Sequence, residues 1–379
     1  MRILIGSDYA VDSKRKPFPS QAFGELLPLI GSADIAVYNQ EFPVTLSTQR
    51  NRLKVPEMCF RSLPETLDLV RDAGFNLACL ANNHTYNWCA DGLSDTIAAL
   101  TERGIQTVGA GHDVKEAARI KYITVSGETV AFLNFAEIEQ NCATYTHGGA
   151  NPLDVFQGLK QLRTAKSKAS VAFVIIHSGI DFQLYPSLRL VNTCRFFIDM
   201  GADGVFCHHS HVVSGYETYQ GKPIFYGMGN MLSNIIVQAS CYYTCAVELE
   251  ILQGEIQQIT PHYFKYDTNN QKLKSLVPED DPAFFKDLAH VSSLLTDERA
   301  LLDAELTNML NNKLTDKYLT HFTRSSYKVY YLMRRLGLTK LHLRYIMNKT
   351  RRMKNRWNLI RCPTHRDVLE LIFIKHVDI

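Results

Sequence analysis

Six short runs of apolar and β-branched residues, at 3–5, 35–38, 77–80, 130–135, 171–176 and 204–207, limit what this chain can fold into more than any other feature. Near-continuous apolar runs of this length predict strands covered on both faces of their sheet. Between them, segments 64–73, 91–103, 153–167 and 187–200 repeat apolar residues at spacings of three and four, which predicts helices with one buried stripe. Further on, Gly221-Lys222-Pro223 predicts a hairpin over 214–226, and Gln253-Gly254 predicts a second over 242–264. Strand and helix alternation that ends in hairpins predicts an α/β fold with a mixed sheet flanked by helices.

With 379 residues, 46% hydrophobic and 21% charged, the chain is long enough for one large domain and a smaller appendage. The net charge of +3 conceals a strong division, because 313–366 holds 15 Lys and Arg against a single acid, Asp316. Strand patterns stop near Phe264, and Pro278 and Pro282 interrupt the polar stretch that follows. The expected organisation is a domain over 1–266, a linker over 267–281 and a basic helical region over 282–379, in which Gly337 separates two helices. The apolar start is too short for a cleaved signal, and no run of about 18 apolar residues predicts a membrane span. Nine cysteines without CxxC spacing read as reduced thiols, so a cytoplasmic location is expected. The basic region is expected to be a helical subdomain packed on the acidic domain, with peripheral attachment to an anionic membrane surface, or a hold on a polyanionic polymer, as the alternatives. No nucleic-acid partner is expected, since no reading motif is present.

The chemistry is carried by the residues just past the strand ends, where ligands collect in open α/β sheets. In order these are Asp8, then Asn39 and Glu41, then Asn82-Asn83-His84, then His177, then His208-His209-Ser210-His211. Singly, each has a bland reading: Asp8 as a cap, Asn39 as a turn residue, His177 as a hydrogen-bonded histidine. Together, five consecutive strand ends bring carboxylate, amide and imidazole groups to one edge. That donor set predicts one or two divalent transition metals, manganese, iron or zinc, rather than calcium or magnesium alone.

The segments around these residues resemble a known family. Phe75-Asn76-Leu77-Ala78-Cys79-Leu80-Ala81-Asn82-Asn83-His84 is similar to the "F-D-x-x-x-L-A-N-N-H" of CapA-type capsule (poly-γ-glutamate) biosynthesis proteins. Ala33 through Thr45 is similar to their "A-D-x-x-x-x-N-L-E-x-P-x-T", and His177-Ser178-Gly179-Ile180-Asp181 continues the match. Gly201 through His211 resembles "G-A-D-x-V-x-G-H-H-P-H", and Pro223 through Met231 resembles "P-I-x-Y-S-L-G-N-F". The motifs run in family order over about residues 3 to 232.

The resemblance implies a calcineurin-like metallophosphoesterase sandwich, mixed β-sheets flanked by helices, usually with two metals. Carried over, Asp8 matches the first-strand ligand, Asn39 or Glu41 stands where the bridging carboxylate lies, and Asn83, His177, His209 and His211 match the remaining ligands. His84 falls on the catalytic histidine. The wider superfamily's Asp-x-His reads Asp8-Tyr9-Ala10 here, so one first-metal ligand is absent; Asp181 stands for a usual Glu and Cys207 for a Gly. The function implied is a metal-dependent hydrolase in capsule or exopolysaccharide biosynthesis, cleaving a phosphoester or else a polymer amide or ester. Its partner would be an anionic capsule polymer or a phosphorylated precursor. The other reading is an assembly or export component that uses the metal site only to bind the polymer.

Overall fold

The computed structural model describes residues 1–311, except 53 and 55, together with 332, 335, 336 and 338. Two sheets form the frame. The first holds β1 (Arg2–Ala10), β2 (Ile35–Gln40), β3 (Leu77–Cys79) and β4 (Gln106–Val108) with β13 (Asn230–Ser233), β14 (Tyr243–Leu252), β15 (Glu255–Asp267) and β16 (Lys272–Leu276). Its order is β16-β15-β14-β1-β2-β3-β4, with β13 also pairing β1. The second holds β6 (Lys121–Val125), β7 (Glu128–Ala136), β9 (Val171–His177), β10 (Gly204–His208), β11 (Tyr216–Tyr219) and β12 (Lys222–Phe225), in the order β11-β12-β10-β9-β7-β6. A small ladder joins β5 (Ala110–Gly111) to β8 (Gly149–Ala150). Both large sheets mix parallel and antiparallel pairs.

The apolar runs have no polar face because each strand is buried on both sides. In β1, Ile3 and Ile5 face the core between the sheets while Leu4 faces the helices outside; in β9, Val171, Phe173 and Ile175 face inward and Ala172, Val174 and Ile176 outward. The outer layer of the first sheet includes α1 (Leu27–Ser32), α2 (Thr66–Ala73) and α3 (Cys89–Glu102), through Ile30, Leu67, Val70 and Leu100. The second sheet is covered by α5 (Val155–Lys166) and α6 (Leu188–Asp199), through Leu162, Ala165, Val191 and Phe197. This is the two-sheet sandwich flanked by helices that the sequence implied. Phe173 is fully buried between the sheets, with ring centroids 5.9 Å from Phe132 and 5.8 Å from Phe206. Phe173→Ala is expected to destabilise the fold by roughly 3–5 kcal/mol, read from the urea midpoint.

Both predicted hairpins form. Their central pairs, Gln220-Gly221 and Gln253-Gly254, all have positive φ, as a two-residue turn matched to strand twist requires.

The linker expected over 267–281 is corrected. Asp267 accepts the N–H groups of Asn269 and Asn270 in a turn, and β16 then pairs with β15. Pro282 starts a helix rather than breaking one. It stands in the first turn of α7 (Pro282–Leu294), where its missing N–H has no intrahelical partner to lose, and Asp281 caps the Phe284 N–H. Leu288 of α7 joins the core between the sheets, and Phe284 and Phe285 pack against it. The compact unit therefore runs Met1–Glu305, and a second unit comprises Leu306–Ile379. Helix α8 (Glu298–Asn311) is the last described element. The basic segment 313–366 and the Gly337 division lie outside the described residues. Among the described residues, no helix is long and apolar enough to cross a membrane.

Candidate metal centre

The sequence candidates meet at the carboxyl ends of β1, β2, β9 and β10. Asp8 lies beside Asn39 across β1 and β2, after a register shift between Ile5 and Asp8; His177 lies beside His208 across β9 and β10. Such irregularities re-aim side chains at strand ends. Asp8, Glu41 and His177 are buried, and one ligand atom from each lies within 4.8 Å of the others.

Glu41 is at the middle. Its Oε2 accepts a hydrogen bond from the Asn39 amide at 2.9 Å, but its Oε1 is buried without a hydrogen-bond partner. That oxygen faces three imidazole nitrogens, the Nε2 atoms of His177 at 3.6 Å, His84 at 3.9 Å and His211 at 3.9 Å. The Nε2 of His177 in turn lies 3.1 Å from Nδ1 of His209 and 3.3 Å from Oδ1 of Asn83. Donors about 2.0–2.2 Å from a shared ion stand roughly 3–3.5 Å from one another. The spacing of His177, His209 and Asn83 falls in that range, and with the unpartnered Oε1 it suits a divalent cation.

Electrostatics point the same way. Burial, reinforced by the charges of Asp8 and Asp181, pushes the Glu41 carboxyl well above the usual carboxylate range. Burial likewise holds His177 and His84 well below the usual imidazole value, with the neighbouring imidazoles next for His177 and Lys54 next for His84. His209 is lowered by burial against the pull of Asp181, whose Oδ1 lies 3.3 Å from its Nε2. A cation among these groups would restore the ionised carboxylate and hold the imidazoles neutral as ligands.

Asn39, expected among the metal ligands, has another task here. Its amide nitrogen donates to Asp8 Oδ1 at 2.8 Å and to Glu41 Oε2 at 2.9 Å, and its Oδ1 accepts from Asn82 at 3.3 Å. Both amide hydrogens and the oxygen are therefore engaged with protein groups. In Asn39→Ala, Asp8 Oδ1 and Glu41 Oε2 lose their common donor, and metal-free protein is expected to lose roughly 1–3 kcal/mol per unsatisfied group. Chemical denaturation in chelator measures it.

The remaining candidates are oriented from outside. His211 presents Nε2 to the centre because its Nδ1 donates to Asn230 Oδ1 at 2.9 Å, while the Asn230 amide nitrogen faces the His211 and Cys241 carbonyls. The His209 backbone N–H donates to Asp8 Oδ2 at 3.2 Å. His209 and His211 both have positive φ, 94° and 58°, uncommon for residues with a side chain and frequent at functional sites. His208 donates from Nε2 to the Gly6 carbonyl at 3.1 Å, and its Nδ1, buried without a hydrogen-bond partner, lies 4.0 Å from Asp8 Oδ1. His84 Nδ1 accepts from the Asn87 amide at 2.9 Å and from Lys54 Nζ at 3.3 Å, so the ring proton is on Nε2, toward Glu41. Sequence reasoning missed Lys54, Asn87, Asn141 and Asn230. Asn141 donates to the Asn83 carbonyl and to Asn87 Oδ1, and Lys54 Nζ to the same carbonyl at 2.6 Å. Only Asn230 stood in a recognised motif.

Fold and centre together describe a two-sheet α/β protein with an Asp, Glu, Asn and His cluster suited to a divalent cation. Residues 5–235 match the family of bacterial capsule synthesis protein PGA_cap, and the chain belongs to that family. It is 33% identical over 217 residues to the capsule biosynthesis protein CapA of Bacillus anthracis, covering 55% of this chain and 53% of that protein. To the PGA biosynthesis protein CapA of Bacillus subtilis (strain 168) it is 28% identical over 258 residues, covering 65% and 67%. The chain thus spans between about half and two thirds of these relatives' lengths. Among solved structures it is similar to the calcineurin-like phosphoesterase YfkN of Bacillus subtilis, at 14% identity and a TM-score of 0.44 over 78% of this chain and 99% of that one. A likeness that distant carries no weight for function.

Proposed function

We propose that this protein is a metal-dependent hydrolase of capsule or exopolysaccharide biosynthesis, acting on a phosphoester of an anionic polymer or of a phosphorylated precursor. The observation that carries the reading is the buried Oε1 of Glu41, which has no hydrogen-bond partner and faces three imidazole Nε2 atoms. Asp8, Glu41, Asn83, His177, His209 and His211 would hold the metal. Manganese, iron or zinc suits their mixed oxygen and nitrogen donors. Such an ion, when bound, supplies Lewis acidity toward a phosphoryl or carbonyl oxygen and acidifies water.

The chain's own groups do the rest. Asn39 holds the two carboxylates apart and aligned through one amide. Lys54 and Asn87 keep the His84 proton on Nε2, from which it can pass to a departing oxygen. Phe42 and Phe60, with ring centroids 5.1 and 5.5 Å from His84, shield that ring from water. A site that only held polymer would have no use for an unligated donor in this position, and His84 therefore favours turnover.

The test is elemental analysis of purified protein followed by assay of aryl phosphomonoesters and phosphodiesters with each metal. One or two equivalents of transition metal and metal-dependent release of phenolate are expected. Metal-loaded protein that cleaves neither phosphoester nor polymer amide would make this a polymer-holding assembly component.

A further inference from the structure

The loops leaving the carboxyl ends of β1 and β2, the strands that deliver Asp8 and Asn39, carry charge that the centre does not use. After β1 the chain reads Asp12-Ser13-Lys14-Arg15-Lys16, and some way beyond β2 it reads Arg50-Asn51-Arg52. Both loops are anchored by backbone and amide contacts. Asn234, just past β13, accepts from the Asp12 N–H at 2.8 Å and donates to the carbonyls of Asp12 and Lys16 at 3.0 and 3.3 Å. The Ser13 N–H donates to the Arg61 carbonyl at 2.8 Å, which ties the first loop to the second. Asn51, buried between two exposed arginines, donates its N–H to the carbonyl of Asn87 at 2.8 Å and its amide to Asn141 Oδ1 at 3.1 Å. Asn87 is the residue that holds His84.

The backbones are thus fixed against the centre while the cations are left free. Lys14, Arg15, Lys16, Arg50 and Arg52 are all exposed, and none of them makes an ion pair among the described residues. The acid of the first loop, Asp12, is buried. Burial raises the Cys59 thiol and the charge of Glu57 adds to it, while the charges of Lys54, Arg50 and Lys14 pull it back, so cations of both loops act around one point. Like charges held together in excess of counter-charge repel, and that repulsion is relieved when an anionic partner binds. A single anion needs one or two of them. Five spread over two anchored loops suit a molecule with several anionic groups along its length.

We propose that these two loops form a collar for a linear polyanion, carboxylate- or phosphate-bearing, whose reacting group lies at the metal centre. The position of the reacting group rests on the hydrolase reading; the collar itself does not. The test is covalent footprinting of lysines with an amine-reactive ester on the full-length, metal-loaded protein, with oligoglutamate or inorganic polyphosphate added. Lys14 and Lys16 are expected to react roughly tenfold more slowly with polyanion at low salt, and at their free rate at high salt, where surface charges are screened. Arg50→Glu with Arg52→Glu, on the other loop, should remove that protection and leave metal content unchanged. The double variant separates this from polymer held by the basic segment 313–366, which it leaves unaltered. Protection by oligoglutamate alone assigns carboxylate, by polyphosphate alone phosphate, and by both the shared charge. Unprotected Lys14 and Lys16 with either polymer, or equal protection in the double variant, overturns the collar. Failure of the hydrolase reading shows separately, as metal-loaded protein that protects both lysines yet turns over no substrate.

Discussion

Replacing His209 and His211 together with alanine is expected to remove at least one equivalent of metal and to abolish metal-dependent hydrolysis, while the protein stays folded. On the proposed assignment both histidines would be metal ligands. His209 offers Nδ1 beside Nε2 of His177, and His211 offers Nε2 toward Glu41 Oε1. Removing both leaves Asp8, Glu41, Asn83 and His177, too few donors for two ions and a poor nitrogen set for one. Both lie beyond β10, which ends at His208, so the pairing of that strand with β9 and β12 is untouched. The comparison that gives the result its meaning is Asn230→Ala, which removes only the group that orients His211. A lost outer partner typically weakens metal binding by roughly 10–100-fold. The double variant should exceed that. Full metal occupancy in it would rule out the ligand assignment, whatever happened to activity.

How far the sequence spoke for the fold depended on burial. β1, β2, β7, β9 and β10 lie deep in the sandwich with both faces covered, and they stand out as apolar runs. The strands that escaped are short or lie at an edge. β4 has three residues, and β6 and β16 keep partly exposed faces, so Lys272-Leu273-Lys274-Ser275-Leu276 buries only Leu273 fully and reads as polar linker. At the centre, ligand types at successive strand ends were legible because topology alone brings those ends together. The roles of Asn39, Lys54, Asn87 and Asn141 were not. Whether an amide offers its oxygen to a metal or its nitrogen to two carboxylates depends on what faces it, and Lys54 reaches His84 from a loop thirty positions earlier in the chain. Spacing along a sequence does not hold that information.

For His84 the structure turns a positional analogy into an atomic expectation. Its Nδ1 accepts from Asn87, an amide whose nitrogen also faces the carbonyls of Met58 and Phe60 and whose oxygen accepts from Asn141, so the amide cannot turn round without losing those bonds. Lys54 can only donate. Burial first, then the charges of Lys54, His211 and His209, hold the ring well below the usual imidazole value, so it is neutral with its one proton on Nε2. A neutral imidazole in this tautomer is a hydrogen-bond donor toward the centre and can give that proton to an oxygen that gains charge as its bond breaks. His84→Ala is therefore expected to keep the fold and the metal content while slowing hydrolysis by roughly 10²–10⁴-fold. The loss should also depend on the substrate. A phenolate that departs readily needs little help from an acid, whereas an alkoxide needs a proton, so the variant should lose much more on alkyl than on nitrophenyl phosphoesters. A loss equal for both leaving groups would remove the acid role, and a fall in metal content would make His84 a ligand.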